Sequence, residues 1–140
     1  MHKNFYHQVK VYYEDTDAGG VVYYANYLKY LERARTEALL SIGLSNIKIK
    51  KKFGALIIVK SCNIEYRKSA HLEDELNIVS HIISLKKTSL IMKQLVMLEK
   101  ELITDAQLQL VFVNSEGKPK KIPDEIIKNF TKYLKNNGKI

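Results

Sequence analysis

The sequence predicts an α+β domain, an antiparallel sheet of about five strands wrapped around one long helix, with a second helix at the C-terminus. Three observations carry this expectation. One broad helical period, with apolar or aromatic residues at Tyr24, Tyr27, Leu28, Leu31, Ala34, Ala38 and Leu39, stands ahead of all strands but the first. Four strand-like segments then follow one another as an antiparallel meander does. A last amphipathic period opens at Pro123. At 140 residues the chain reads as one domain, 1–140, large enough to bury a core.

Phe5 to Glu14 alternates, with Phe5, His7, Val9, Val11 and Tyr13 on one side, and is expected to be the first strand. The long helix is expected from Ala25 to Ile42, with Gly43 as its stop. Arg33 and Glu37 are four apart and can pair on its exposed side. Leu44 to Gly54 is basic and mixed and reads as a connection with one helical turn around Ile47 to Lys52. Ala55 to Arg67 is the next strand, with Cys62, Ile64 and Tyr66 on one face. Glu75 to Leu85 follows. Leu90 to Leu98 is apolar on both sides, which suits a central strand covered on both faces. Glu99-Lys100-Glu101 reads as a hairpin turn, and Leu102, Ala106, Leu108, Leu110 and Phe112 alternate with Asp105, Gln107 and Gln109. Ser115 to Pro119 stops that strand. The final helix is expected over Asp124 to Lys135, with Ile126, Ile127, Phe130 and Leu134 inward. A single sheet with one buried face keeps an open edge, and pairing it with a second copy hides it, so a homodimer is the default.

Composition removes several functions. No run of 18 apolar residues is present, so no transmembrane segment is predicted. The first residues lack an apolar signal core, and Cys62 is the only cysteine, which together point to the cytoplasm. The formal net charge is +8, but it rests on scattered lysines, with arginine only at positions 33, 35 and 67. That pattern speaks against nucleic acid and leaves a solvated surface, a phosphate-bearing ligand or an acidic carrier partner. His2, His7, His71 and His81 show no metal-ligand spacing, so no metal is expected.

The segment Tyr12 to Tyr27 is where chemistry is expected. Gly19-Gly20 allows backbone angles closed to other residues and a close approach to the backbone. Asp17 stands ahead of a helix whose first amides are unpaired and whose dipole is positive. A carboxylate beside free amides suits acyl transfer: one group attacks or directs water, the others hold the developing oxyanion. On position alone, a turn or capping acid is the commoner role for Asp17. Asp15 would share its side of a strand and reads as structural. Tyr23 and Tyr24 are binding candidates, whereas Tyr12, Tyr13, Tyr27 and Tyr30 read as core or interface. Asn26 reads as backbone satisfaction, Glu32 and Arg35 as a structural ion pair, and Cys62 as a small buried side chain.

The run Tyr13-Glu14-Asp15-Thr16-Asp17-Ala18-Gly19-Gly20-Val21-Val22-Tyr23-Tyr24-Ala25-Asn26-Tyr27-Leu28, continuing into Leu31 to Glu37, resembles the hot-dog-fold acyl-CoA thioesterases of the 4-hydroxybenzoyl-CoA thioesterase and YbgC type. A second block, Ile64 to Leu76, resembles the same family's strand–turn–strand segment. The resemblance implies a hot-dog fold, homodimers that pair into dimers of dimers, and active sites at the dimer interface. It implies that Asp17 is the catalytic carboxylate and that the amides of Tyr24 and Ala25 hold the oxyanion. It makes Gly20, Val21, Tyr23 and Tyr24 substrate contacts, with Arg67 and Lys68 as candidates for the coenzyme A phosphates. Coenzyme A enters only as part of substrate and product; no separate cofactor is implied. The YbgC type usually carries histidine where this chain has Tyr24, while the 4-hydroxybenzoyl branch carries tyrosine. The expected activity is hydrolysis of short- or medium-chain, or aryl, acyl-CoA, with an acyl-carrier protein as a further partner. The competing expectation is a non-catalytic hot-dog protein that binds acyl-CoA or acyl-carrier protein.

Overall fold

The computed structural model describes residues 2–135. In chain order these form β1 (Phe5–Lys10), a 3-10 turn (Tyr13–Asp15), α1 (Asn26–Ser41), α2 (Asn46–Phe53), β2 (Leu56–Tyr66), β3 (Glu75–Leu85), β4 (Ser89–Leu98), β5 (Glu101–Val113) and α3 (Asp124–Thr131). The strands make one antiparallel sheet in the order β1-β3-β4-β5-β2. This is the α+β arrangement expected.

The alternation of the meander builds the core. Leu76, Ile78 and Ile82 of β3, Leu90, Met92 and Val96 of β4, and Ala106, Leu108 and Phe112 of β5 are buried and join one cluster with Tyr27, Tyr30, Leu31, Ala34 and Leu39 of α1. Each large side chain so buried contributes about 1.5–3 kcal/mol. α1 ends within a residue of its expected stop: Gly43 takes φ 81, and the Leu44 amide closes on Leu39 O at 2.9 Å.

Several expectations are corrected. Strand β4 is central, but α1 covers one face only, and Ile91, Lys93, Leu95 and Met97 on the other stay half-buried. The first strand stops at Lys10 rather than Glu14. Asp15 Oδ2 accepts the Tyr12 amide at 2.9 Å and the Asp15 amide bonds to Tyr12 O, so the chain turns in a 3-10 step. The segment after α1 is a full helix, α2. Ser45 Oγ caps it by accepting the Lys48 amide, Ile49 anchors it in the core, and Gly54 ends it at φ 65. Helix α3 stops at Thr131; the chain then lays Leu134 beside Ile82, with Ile82 N donating to Tyr133 O and Lys135 N to Ile82 O. That segment covers the edge of β3 beyond the end of β1, and Tyr133 stacks on Phe5 at 3.7 Å.

On the face of the sheet away from α1, His81 of β3 is buried at 8% exposure beside His2 and opposite Lys93. Burial holds its pKa below the usual value of 6.5, and Lys135, His2 and Lys93 add to the effect. An imidazole whose folded pKa is depressed stabilises the fold above its unfolded pKa. That contribution is lost as pH falls, because the unfolded chain then takes up the proton more readily. The thermal midpoint is therefore expected to fall between pH 7 and pH 5, and His81→Asn to flatten that part of the profile. An unchanged slope in the variant would rule this out.

Candidate active site

The turn before α1 is a hairpin built on local hydrogen bonds. Thr16 bridges Val22, the Asp17 amide donates to Val21 O at 2.9 Å, and the Gly20 amide donates to Asp17 O at 3.0 Å. The Asp17 carboxylate is exposed, and its Oδ1 accepts the Gly19 amide at 2.8 Å. A Cβ on Gly19 would stand 3.3 Å from that oxygen, tighter than ordinary contact. Gly20 takes φ 81, which a side chain would strain. Gly20→Ala is expected to cost about 1–2 kcal/mol of stability, read by urea denaturation; a neutral result would contradict the strain.

The returning arm docks on the loop before β3: Val21 bridges His71 and the Val22 amide donates to Ala70 O. Tyr23 N and Asn26 Nδ2 both donate to Asp15 O, at 2.9 and 2.8 Å. Asn26 thus satisfies backbone, as expected. Asp15 is 9% exposed and ties down the Tyr12 amide, so it does not share the side of Asp17. The Tyr30 hydroxyl is buried near Asp15, with no hydrogen bond of good geometry among the described residues. Burial, and after it the Asp15 carboxylate, push its ionisation well up.

Helix α1 begins with no side-chain cap, and Ala25, at φ −66 and ψ −22, occupies the N-cap position. The amides of Tyr24 and Ala25 meet no acceptor among the described residues. The site therefore presents an exposed carboxylate at a hairpin tip and, at the end of the returning arm, two free donors at the positive end of a 16-residue helix. Such a set can hold an anionic oxygen beside a nucleophile or base.

Aromatic rings frame it. Tyr24 is 61% exposed, lies 5.2 Å from Tyr23, and meets Tyr66 edge-on at 5.8 Å. Tyr27 reaches Tyr66 at 5.7 Å, and its hydroxyl accepts the Ala70 amide. Sequence reasoning gave Tyr66 no role; only the pairing of β2 with β5 carries it to the helix end. Tyr24 and Leu28, expected inward, are exposed, as are Tyr12 and Tyr13.

Arg67 and Lys68 are not free cations. Arg67 Nη2 pairs with Glu65 at 2.6 Å and approaches Asp105 at 3.8 Å, while Lys68 Nζ pairs with Glu101 at 2.6 Å. Exposed pairs of this kind are worth about 0–1 kcal/mol, so either cation can change partner at little cost. The helix pairs expected from spacing do not form. Neither Arg33–Glu37 nor Glu32–Arg35 is an ion pair among the described residues; Glu32 accepts the Thr36 hydroxyl, and Arg35 turns inward to Gln94. Cys62, expected to be buried, is exposed on the open edge. Beneath α1 lies a cavity of about 120 Å³, lined by Phe5, Arg35, Ile57, Val59, Leu90 and Met92 among others. No helix is long and apolar enough to cross a membrane.

Residues 11–130 match the family model described as the thioesterase-like superfamily. The chain is 40% identical over 124 residues to the acyl-CoA thioester hydrolase YbgC of Escherichia coli O6:H1, covering 87% of this chain and 92% of the relative. It is 33% identical over 127 residues to the acyl-CoA thioesterase YbgC of Haemophilus influenzae, covering 90% and 93%. The fold is that of the 1,4-dihydroxy-2-naphthoyl-CoA thioesterase of Synechocystis, with a TM-score of 0.84, 23% identity, and coverage of 92% and 96%. The chain belongs to the thioesterase-like superfamily and is a thioester hydrolase of the hot-dog fold.

Proposed function

We propose that this enzyme hydrolyses acyl-CoA thioesters of short or medium chain, or aryl-CoA, with Asp17 as its catalytic carboxylate. The observation that carries the reading is the exposed Asp17 carboxylate, held by the Gly19 amide, ahead of the unpaired amides of Tyr24 and Ala25. The reaction is acyl-CoA plus water giving acid plus free coenzyme A. Asp17 attacks the thioester carbon or takes a proton from water that does so. The carbonyl oxygen becomes an oxyanion on the two amides, each worth about 3 kcal/mol in the transition state. The C–S bond then breaks, and thiolate leaves without strong acid assistance. Where Asp17 attacked, water next hydrolyses the acyl–Asp17 anhydride to acid; where it acted as base, its proton passes to the thiolate. Gly20, Val21, Tyr23 and Tyr24 line the approach of the acyl-thioester arm. Arg67 and Lys68 exchange their surface carboxylates for coenzyme A phosphates. Coenzyme A belongs to the substrate, and the chemistry needs no further cofactor. The setting is the cytoplasm, where an acyl-carrier protein offers an alternative thioester donor with an acidic surface suited to this basic chain.

The working form is a homodimer that pairs again into a dimer of dimers. Strand β2, of 11 residues, is the longer of the two edge strands, and Ile58, Val59 and Tyr66 on it are about half exposed. Antiparallel pairing of two such edges covers them. It also sets the Tyr66 end of one copy beside the Leu56 end of the other. Ile58→Lys is expected to halve the mass read by sedimentation equilibrium, and an unchanged mass would rule out this edge as the interface.

A thiol-release assay across a chain-length and aryl series tests the function. Turnover of at least one acyl-CoA is expected. Tight binding of acyl-CoA with no turnover would leave only the non-catalytic reading.

A further inference from the structure

The cavity beneath α1 is lined by a guanidinium, Arg35, that meets no carboxylate at ion-pair distance among the described residues. Arg35 donates from Nη1 to Gln94 Oε1 at 3.0 Å. Gln94 is fully buried, and its amide nitrogen donates to Leu31 O at 3.2 Å and to Ser80 Oγ at 3.0 Å. Both amide protons are used, so the group cannot flip, and its oxygen holds the guanidinium in one place. A guanidinium has five N–H donors. Only one of them meets an acceptor among the described residues, and no carboxylate forms an ion pair with it. Glu32, one turn back, is exposed and engaged by Thr36. Burial acts more strongly on Arg35 than Glu32 does and pulls its pKa down.

Glu32, Thr36 and Asn46 share the wall with Arg35, and the remainder is apolar, with Phe5, Ile57, Val59, Leu90, Met92 and Leu110 among others. A volume of about 120 Å³ is close to that of apolar cavities that accept one small ring. A ring or a short run of methylenes therefore fits, with its far end on the cation. Burying an unpaired cation is costly unless a ligand brings the counter-charge. The planar fork of arginine matches a carboxylate on two bonds; a hydroxyl meets one donor and a methyl none.

We infer that this cavity receives the far end of the acyl group and that Arg35 selects acyl groups ending in a carboxylate, the half-thioesters of dicarboxylic acids. The inference rests on the thioesterase reading above. The dimer supplies a route: Ile57 and Val59 of the cavity wall lie at the start of β2, and Tyr66, beside Tyr24, lies at its end. Antiparallel edge pairing places one copy's helix end beside the other copy's cavity.

The test is thiol release from three coenzyme A thioesters of equal chain length, ending in methyl, hydroxyl or carboxylate. Wild type, Arg35→Met and Arg35→Lys are compared. Wild type is expected to prefer the carboxylate. Arg35→Met should raise KM for that substrate at least tenfold more than for the methyl-ended one, with the smaller change in kcat, and Arg35→Lys should restore part of the ratio. An unchanged substrate ratio in both variants, or a wild-type preference for the methyl end, overturns the inference. If Arg35→Met does not fold, the wild-type preference and the Arg35→Lys ratio decide. If wild type turns over none of the three, the catalytic reading fails. Arg35 is then judged by the thermal shift on adding the carboxylate-ended thioester, which must exceed that of its methyl-ended match and shrink in Arg35→Lys. Glu32→Gln is a control. Should it dissociate the dimer, the counter-charge for Arg35 is supplied by the second copy and the inference falls.

Discussion

Asp17→Asn lowers kcat for an acyl-CoA substrate by roughly 10²–10⁴-fold, the range a positioned acid or base contributes. The substitution is close to isosteric. An asparagine side-chain oxygen can still accept the Gly19 amide, the bond that holds the hairpin tip at 2.8 Å. Only the charge and its basicity go. Stability is therefore expected to stay within about 0.5 kcal/mol, as for an exposed site outside the core. KM is expected to move less than kcat, because in the proposed mechanism the carboxylate acts on the reacting carbon rather than on the coenzyme A arm. Single-turnover thiol release with a thermal scan on the same sample checks both halves. Wild-type kcat in the variant would remove Asp17 from the mechanism. A large loss of stability would instead make it a structural turn acid.

Gln94→Leu is expected to be the most damaging single change to the fold. The side chain is fully buried and serves three partners: Arg35, Ser80 and the Leu31 carbonyl. Leucine fits the volume but strands all three. Each buried donor or acceptor left without its partner costs about 1–3 kcal/mol, so stranding three of them costs about 3 kcal/mol or more. For a domain of this size that lowers the thermal midpoint by roughly 10 °C or more. The double variant Gln94→Leu/Arg35→Met removes the stranded cation. Its loss is expected to be smaller than the sum of the two single losses, with a coupling of about 0.5–3 kcal/mol. Strictly additive losses in urea denaturation would show that the two side chains do not act as a unit.

What was legible in the sequence is what local chemistry decides. The apolar period placed α1 to within a residue at each end, because backbone bonds four residues apart and the left-handed Gly43 settle its limits. Alternation placed the four strands of the meander, since side chains point to opposite faces whatever the partner. The link from Gly19 to Asp17 spans two residues and could be anticipated from the glycine pair. The short helix α2 carried a local signal too, the cap by Ser45, but its lysine-rich face masked the single buried anchor, Ile49.

Contacts between distant segments decided the rest. Arg35 stands three residues from Glu32 on its own helix, yet it bonds to Gln94, 59 residues away, because packing α1 on the sheet takes its side chain partly out of solvent. Tyr66 joins the site only because β5 carries the edge strand β2 past the start of α1. The end of β1 was set by Asp15, whose carboxylate folds back on Tyr12 rather than continuing the strand. The sequence by itself determined the elements and the glycine turn that carries Asp17, because those depend on neighbours along the chain. Which charges pair, which tyrosines meet and where a cavity remains were decided only by the tertiary structure, since those contacts depend on how whole elements pack.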